Sequence, residues 1–288
     1  MTTEKTQRPF SNVKFQDVET RFVESSGIRF AYRELGQKGG TPVIFLHHLA
    51  AVLDNWDPRV VDGFATEHHV VTFDNRGIGA SSGKPATSIE QMARDAITFI
   101  KAMGFAKVDL HGFSMGGMVA QEIVLMEPGL VRKMILTGTG PAGGEGIRTV
   151  ARVTYYDMLR GLLTFQDAKQ FLFFTRTSNG IRAGKEFLAR LTERKQHRDT
   201  PIKVSALLAQ LKALGAWGSK TSADLSKVRH PVFVANGDND RMVPTPNSHD
   251  LARRLPHAEL VIYKDAGHGG IFQNHEAFVK KALEFLAK

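Results

Sequence analysis

The stretch Val108-Asp109-Leu110-His111-Gly112-Phe113-Ser114-Met115-Gly116-Gly117 sets the reading of the whole chain. It places a G-x-S-x-G pattern between a short apolar run and a segment of helical period, Met115 to Glu127. Small residues flank the serine because the chain must turn sharply from strand into helix, which leaves no room for side chains on either side. Such a turn presents the Ser114 hydroxyl at the carboxyl edge of a sheet, with a helix N-terminus beneath it. The Met115 N–H is then free to stabilise an oxyanion. A plain turn could use the same glycines, but the flanking strand and helix favour a nucleophile.

Outward from this turn the same alternation continues. Runs that are apolar throughout occur at Val43–Leu46, Val70–Phe73, Met134–Leu136, Val232–Val234 and Leu260–Tyr263, as expected of parallel strands covered on both faces. Segments of helical period lie at Ile89–Met103, Pro246–Leu255 and His275–Ala287. Near the N-terminus, Thr20–Glu24 and Ile28–Glu34 alternate apolar with polar residues, which predicts a hairpin around Ser26-Gly27. Strand, helix, strand, helix is the pattern of an α/β fold with a mostly parallel, eight-stranded sheet. The rhythm breaks between Pro141 and Lys227, where helical spacing continues without strand runs. The expected organisation is therefore an α/β body formed by residues 1–140 and 228–288, with a helical insertion at 141–227 laid over the sheet.

Composition narrows the classes. The 288 residues, 42% apolar and 23% charged, suit one large globular unit. The absence of cysteine excludes a disulfide framework, a thiolate metal site and a cysteine nucleophile, and fits a reducing compartment. Met1 to Phe10 has no apolar core of a signal peptide, and no stretch approaches the ~18 apolar residues of a spanning helix, so a cytoplasmic protein without a membrane partner is expected. The first fifteen residues or so read as a loosely attached tail. The net charge of +9 is uneven: 15 basic and 15 acidic residues precede position 141, 7 and 7 follow position 230, and 16 and 7 lie between. No Walker phosphate loop, dinucleotide glycine pattern or H-E-x-x-H motif occurs, so no cofactor and no metal are expected.

A serine hydroxyl needs a base, and the base needs an orienting acid. After the run Val232–Ala235 comes Asn236-Gly237-Asp238-Asn239-Asp240, and after Leu260–Tyr263 comes Lys264-Asp265-Ala266-Gly267-His268-Gly269. With these residues the chain, from about Thr20 to its C-terminus, resembles the α/β-hydrolase fold superfamily with a helical cap. The resemblance implies the chain order serine, acid, histidine. It places the acid last in the G-x-x-D turn, at Asp240, and the base after a small-residue turn, at His268. Asp238 is the rival acid, otherwise a turn residue capping local backbone. Thr137-Gly138-Thr139-Gly140 holds no carboxylate, which excludes an acid after the sixth strand. Of the eleven histidines, His249 and His275 fall on helices, His257 before a strand and His197 in the insertion. His68, His69, His111 and His230 sit at strand starts or turns, where packing is expected.

The resemblance also implies that Asp74-Asn75-Arg76-Gly77-Ile78-Gly79-Ala80-Ser81 is a structural loop held by Asp74 and Arg76. Phe45–Pro58, containing Asp54-Asn55-Trp56-Asp57, is similar to the family's segment after the third strand. The second oxyanion donor then falls at the N–H of Leu49, within Leu46-His47-His48-Leu49-Ala50. Relatives carry glycine where this chain has His48; the histidine restricts the backbone there. It either lines the pocket or, with His47, packs the loop. Further pocket walls are expected from Trp56, Phe113, Phe171, Phe173 and Phe174. Most apolar residues of the insertion, among them Tyr155, Tyr156, Met158, Leu162, Leu163, Phe165 and Leu208, are expected to pack as core. Its charges, among them Arg176, Arg182, Lys185, Arg190, Arg194, Lys195, Arg198 and Lys203, form a solvated face, a field drawing an anionic substrate to the pocket, or a nucleic-acid surface. The last lacks any recognised module, so no nucleic-acid partner is expected.

The reading that results is a cofactor-free serine hydrolase cleaving a small-molecule carboxylic ester or lactone through an acyl-enzyme at Ser114. A serine in place of aspartate at the elbow disfavours the dehalogenases and epoxide hydrolases of this fold. The alternatives are a perhydrolase (cofactor-free haloperoxidase) or C–C bond hydrolase using the same three residues, and a ligand receptor with little turnover.

Overall fold

β-branched and aromatic runs bounded by turn residues become the strands β1 (Arg21–Ser25), β2 (Ile28–Leu35), β3 (Val43–Leu46), β4 (Val70–Phe73), β5 (Val108–Phe113), β6 (Val131–Thr137), β7 (Val232–Gly237) and β8 (Ala258–Tyr263). The computed structural model describes residues 13–288. The eight strands form one sheet in the order β1-β2-β4-β3-β5-β6-β7-β8. β2 runs antiparallel to β1 and β4, and the other pairings are parallel. The expected hairpin closes at Ser26 and Gly27, both with positive φ (52° and 74°), a two-residue turn that matches the twist of the flanking strands.

Apolar runs without polar interruption are explained by the two faces of the sheet. Along β3, Val43 and Phe45 join one core cluster, with Val60 and Phe64 of α1 (Pro58–Ala65) and Phe278 and Phe285 of the C-terminal helix His275–Ala287. Ile44 and Leu46 join the opposite cluster, with Met92 and Phe99 of α2 (Ile89–Ala102) and Met118 and Ile123 of α3 (Met115–Met126). Successive side chains point to opposite faces, so both must be apolar. Helix α1 is the one body helix of two turns that the sequence reading does not assign. Its start is nevertheless written there: the Asp57 side chain accepts from the Arg59 N–H at 3.0 Å, and Pro58 occupies the first helical position.

The expected loose tail includes residues 1–12, which lie outside the described residues. Phe15 does not fit that expectation. It is buried, its N–H donates to Asp62 at 2.7 Å, and its ring lies under the Arg33 guanidinium at 5.6 Å.

Between β6 and β7 run α4 (Val150–Thr164), α5 (Lys169–Phe173), α6 (Ser178–Arg190) and α7 (Val204–Ser219). α4 packs through a narrow stripe, Val150, Thr154, Asp157 and Gly161, one residue per turn. The expectation that most apolar side chains of this segment pack as core is therefore corrected. Tyr155, Tyr156, Met158, Leu162, Leu163, Phe165 and Leu208 are exposed, Phe165 to 96%. A single-stripe helix leaves the rest of its circumference outside, whatever residues it carries.

The charges of this segment divide. Arg176, Arg182, Lys185, Lys195, Arg198 and Lys203 are exposed. Arg190 and Arg194 instead turn onto the body. Arg190 grips Asp57 through both carboxylate oxygens (Nη2–Oδ2 2.7 Å, Nε–Oδ1 2.9 Å) and donates to the Phe272 carbonyl. Arg194 donates to the Gln16 and Val18 carbonyls and lies 3.7 Å from Asp54. Asp199 completes this contact: it accepts from Arg33 at 2.9 Å and from the Asp54 N–H at 2.7 Å, while Asp54 accepts from Arg33 at 2.8 Å. These bonds tie α6 and the chain after it to the loop that follows β3. Because Asp57 is fully buried and Glu193 partly exposed, the two nearby ion pairs differ in weight. Arg190→Ala, which strands a buried carboxylate, is expected to cost about 3 kcal/mol of unfolding free energy. Glu193→Ala, which breaks the outer pair with Arg59, is expected to cost less than about 1 kcal/mol; urea titration of both variants measures the difference.

Candidate active site

Ser114 is the residue at which β5 becomes α3, and its backbone carries the cost of that turn. Its φ of 57° and ψ of −118° lie in a region that a side chain disfavours. Such a conformation costs about 1–3 kcal/mol and persists only where its surroundings hold it. The surroundings are visible. The Ser114 N–H donates to the Thr137 carbonyl at the end of β6 (2.8 Å), and its carbonyl accepts from the Gly117 N–H (2.9 Å). A methyl group on Gly116 would overlap the Leu46 carbonyl oxygen and approach the His47 carbonyl, while one on Gly112 would sit 2.6 Å from the Gly117 Cα. The glycines thus let α3 press against both its own strand and the end of β3.

That contact brings the loop after β3 beside the elbow. Ala50 has a φ of 61°, and its N–H donates to Oε1 of Gln210, a buried residue of α7, at 2.8 Å. Among the described residues the Leu49 N–H has no protein acceptor. The Met115 N–H, first in α3, has no partner within the helix. Gln210 is a positioning residue that the sequence reading missed; nothing in the amphipathic pattern of α7 marks it.

Asp240 and His268 meet at the edge formed by β7 and β8. His268 Nδ1 lies 2.7 Å from Asp240 Oδ2, with both side chains sealed from solvent. The other oxygen, Oδ1, accepts from the N–H groups of Met242 (2.8 Å) and Val243 (3.0 Å). These bonds fix the orientation of the carboxylate. Asp238 is oriented elsewhere: it is exposed and accepts from Asn239 and from the Ala266 N–H. The imidazole of His268 rests on the Phe113 ring (5.0 Å between centroids), so it lies directly beside the elbow. It also faces Gly138, whose φ is 53° and where a Cβ would stand 3.2 Å from the His268 ring. α5 closes over this loop. The Phe173 carbonyl accepts from the Gly269 N–H at 2.7 Å, and a Cβ on Gly267 would meet that same oxygen at 2.6 Å.

The expected pocket residues separate into three groups. Phe113 and Phe173 pack on His268, and His48 packs behind them: Phe173 lies on His268 (5.4 Å), on Phe113 (5.6 Å) and on His48 (5.2 Å). Trp56 is a core residue, 1% exposed, wedged among Phe45, His47 and His111 and touching Phe113 only from behind. Phe171 and Phe174 line an open hollow of about 440 Å³ with Arg176, Arg241 and Gly267, on the outer side of the His268 loop. Arg160 lies over the Phe171 ring at 4.1 Å. His111 is buried between Phe45 and Phe64, and desolvation pushes its pKa down to about 3, so it is a neutral core ring. Asp74 is buried, accepts from the Leu53 and Ala80 N–H groups, and bonds through its carbonyl to Ser81. Arg76 pairs with Asp95.

This geometry has known counterparts. A family model described as alpha/beta hydrolase fold matches residues 41–275. The chain belongs to the α/β-hydrolase fold family. It is 35% identical to an alpha/beta hydrolase fold protein from Chitinophaga pinensis, with a TM-score of 0.91 over 95% of this chain and 99% of that one. Est816, described as an N-acyl homoserine lactone degrading enzyme, is 25% identical, with a TM-score of 0.73 over 92% of this chain and 100% of that one. A 2-hydroxy-6-oxononadienedioate/2-hydroxy-6-oxononatrienedioate hydrolase of Escherichia coli (strain K12) is 27% identical over 92% of this chain and 94% of its own length. Fold and relatives together support hydrolase activity. No helix among the described residues is long and apolar enough to cross a membrane.

The two neighbouring aspartates can be told apart by kinetics. Asp240→Asn is expected to lower kcat for an activated ester by about 10³–10⁴-fold, because the amide no longer holds the imidazole in the required tautomer. Asp238→Asn, whose partners are backbone and Asn239, is expected to stay within about threefold of the parent.

Proposed function

We propose that the chain is a cofactor-free serine hydrolase of a carboxylic ester or lactone, acting through an acyl-enzyme. The observation that carries this reading is the sealed Asp240–His268 pair lying on Phe113, the residue before a strained Ser114. In the first half-reaction the Ser114 oxygen attacks the substrate carbonyl while His268 Nε2 takes the hydroxyl proton. Asp240 accepts from Nδ1–H throughout and stabilises the imidazolium. Negative charge on the carbonyl oxygen is met by the N–H groups of Met115 and Leu49. Collapse of the tetrahedral intermediate expels the alkoxide, which His268 protonates. Water, deprotonated by His268, then attacks the acyl-Ser114 and releases the acid. The helices α4–α7 serve as a cap, since the end of α5 seals the His268 loop and Gln210 of α7 holds the oxyanion loop.

Cleavage of a C–C bond next to a carbonyl uses the same residues, and the similarity to the Escherichia coli hydrolase favours it as the second reading. The two separate on substrate: turnover of simple esters with kcat/KM well above that for a vinylogous diketone supports the ester reading. For the mechanism, Ser114→Ala is expected to cut hydrolysis of p-nitrophenyl butanoate by at least about 10³-fold. Hydrolysis as fast as the parent's would refute the nucleophile.

A further inference from the structure

His48 stands where a glycine would give the oxyanion loop its freest backbone, and its ring is locked in one orientation. Its Nδ1 lies 2.7 Å from the carbonyl oxygen of Leu49. A carbonyl can only accept, so Nδ1 carries the hydrogen and Nε2 is left as a bare acceptor. The ring is 3% exposed and stands edge-on to Phe113 (5.4 Å) and Phe173 (5.2 Å), the two rings that also hold His268. Burial keeps the imidazole well below its ordinary pKa, against the pull of the Leu49 carbonyl, so it stays neutral. Among the described residues Nε2 has no hydrogen-bond partner.

A buried acceptor without a donor is a standing cost that a packed interior rarely retains. Its neighbours Phe113 and Phe173 are hydrocarbon, and its other side is turned onto its own main chain. A donor carried by a molecule bound at Ser114 would satisfy it. We propose that His48 Nε2 is a substrate-binding subsite that accepts a hydrogen bond from a hydroxyl or N–H borne on the acyl group within two atoms of the scissile carbonyl. Placement puts His48 beside the reacting groups. His48 is bonded to Leu49, whose N–H meets the oxyanion, and its ring touches Phe113, which precedes Ser114. A group held at the reacting carbonyl thus presents its nearest substituents to His48. A site built to receive such a donor discriminates strongly against a ligand lacking it, because the buried acceptor is then left empty. The inference rests on the acyl-enzyme reading above and names the class of acyl group it serves.

The test compares p-nitrophenyl propanoate with p-nitrophenyl 2-hydroxypropanoate and p-nitrophenyl 3-hydroxypropanoate. For each ester, kcat/KM is divided by its rate of hydroxide-catalysed hydrolysis, which removes intrinsic reactivity. The parent protein is expected to prefer at least one hydroxy ester over the plain ester by about tenfold or more. His48→Phe, which keeps a ring in the aromatic cage but removes the acceptor, is expected to lower that ratio to about one. His48→Gln, whose terminal oxygen stands near the position of Nε2, is expected to restore at least about a third of it. No preference in the parent, or an unchanged ratio in His48→Phe, would overturn the subsite while leaving the hydrolase reading intact. Failure of the parent to turn over any of the three esters would overturn both.

Discussion

At Gly116 the backbone of α3 presses against the carbonyl of Leu46 so closely that no side chain could stand between them. The geometry of the site follows from this one contact. It joins the elbow, where Ser114 is held in a strained conformation, to the loop after β3, where the Leu49 N–H has no acceptor among the described residues. Neither piece holds itself. The strain at Ser114 is opposed by its bond to Thr137 of β6, and the turn at Ala50 is pinned by Gln210 of α7. Parallel strands make the arrangement possible, because the ends of β3, β5, β6, β7 and β8 then lie along one edge of the sheet. The groups brought together there are a serine, two N–H groups unpaired among the described residues, and a buried carboxylate–imidazole pair. These are the groups that the proposed acyl transfer uses.

The helices between β6 and β7 act on this edge by contact. Their exposed charges give the chain its net positive balance, yet Arg190 and Arg194 turn inward onto Asp57, Asp54 and nearby carbonyls. Those aspartates belong to the loop after β3, a few residues beyond Leu49. A buried ion pair with good geometry resists sliding, since moving either partner leaves a charge uncompensated. The same segment reaches the other side of the site through Phe173, whose carbonyl holds Gly269 and whose ring packs on His268. Positions of the loop after β3 and of His268 are thus coupled through one helical layer.

Much of the fold was legible in the sequence because its strands are buried on both faces and therefore apolar without interruption. Alternation of such runs with amphipathic helices defines the α/β order, and G-x-S-x-G marks the elbow because its glycines meet backbone atoms, a requirement that no other residue satisfies. That Asp240 and His268 meet was legible through loop position, once the resemblance supplied chain order. What stayed hidden depends on tertiary placement. Trp56 sits beside plausible pocket residues in sequence but points into the core. Phe171 and Phe174 lie close to Phe173 in sequence yet line a different hollow; Phe174 leaves the helix in an extended conformation. The outer side of α4 carries Tyr155, Tyr156, Met158, Leu162 and Leu163, and only its neighbours reveal that nothing covers them among the described residues. Gln210 and the orphaned Nε2 of His48 are geometric facts without a motif.

Whether Ser114 is the nucleophile is tested most directly by covalent capture. The parent protein is incubated with a fluorophosphonate and digested, and the peptide carrying residue 114 is weighed by mass spectrometry. One phosphonyl adduct on Ser114, formed much more slowly when His268 is replaced by alanine, is the predicted result. An unmodified Ser114 peptide, or labelling at an equal rate without His268, would contradict it.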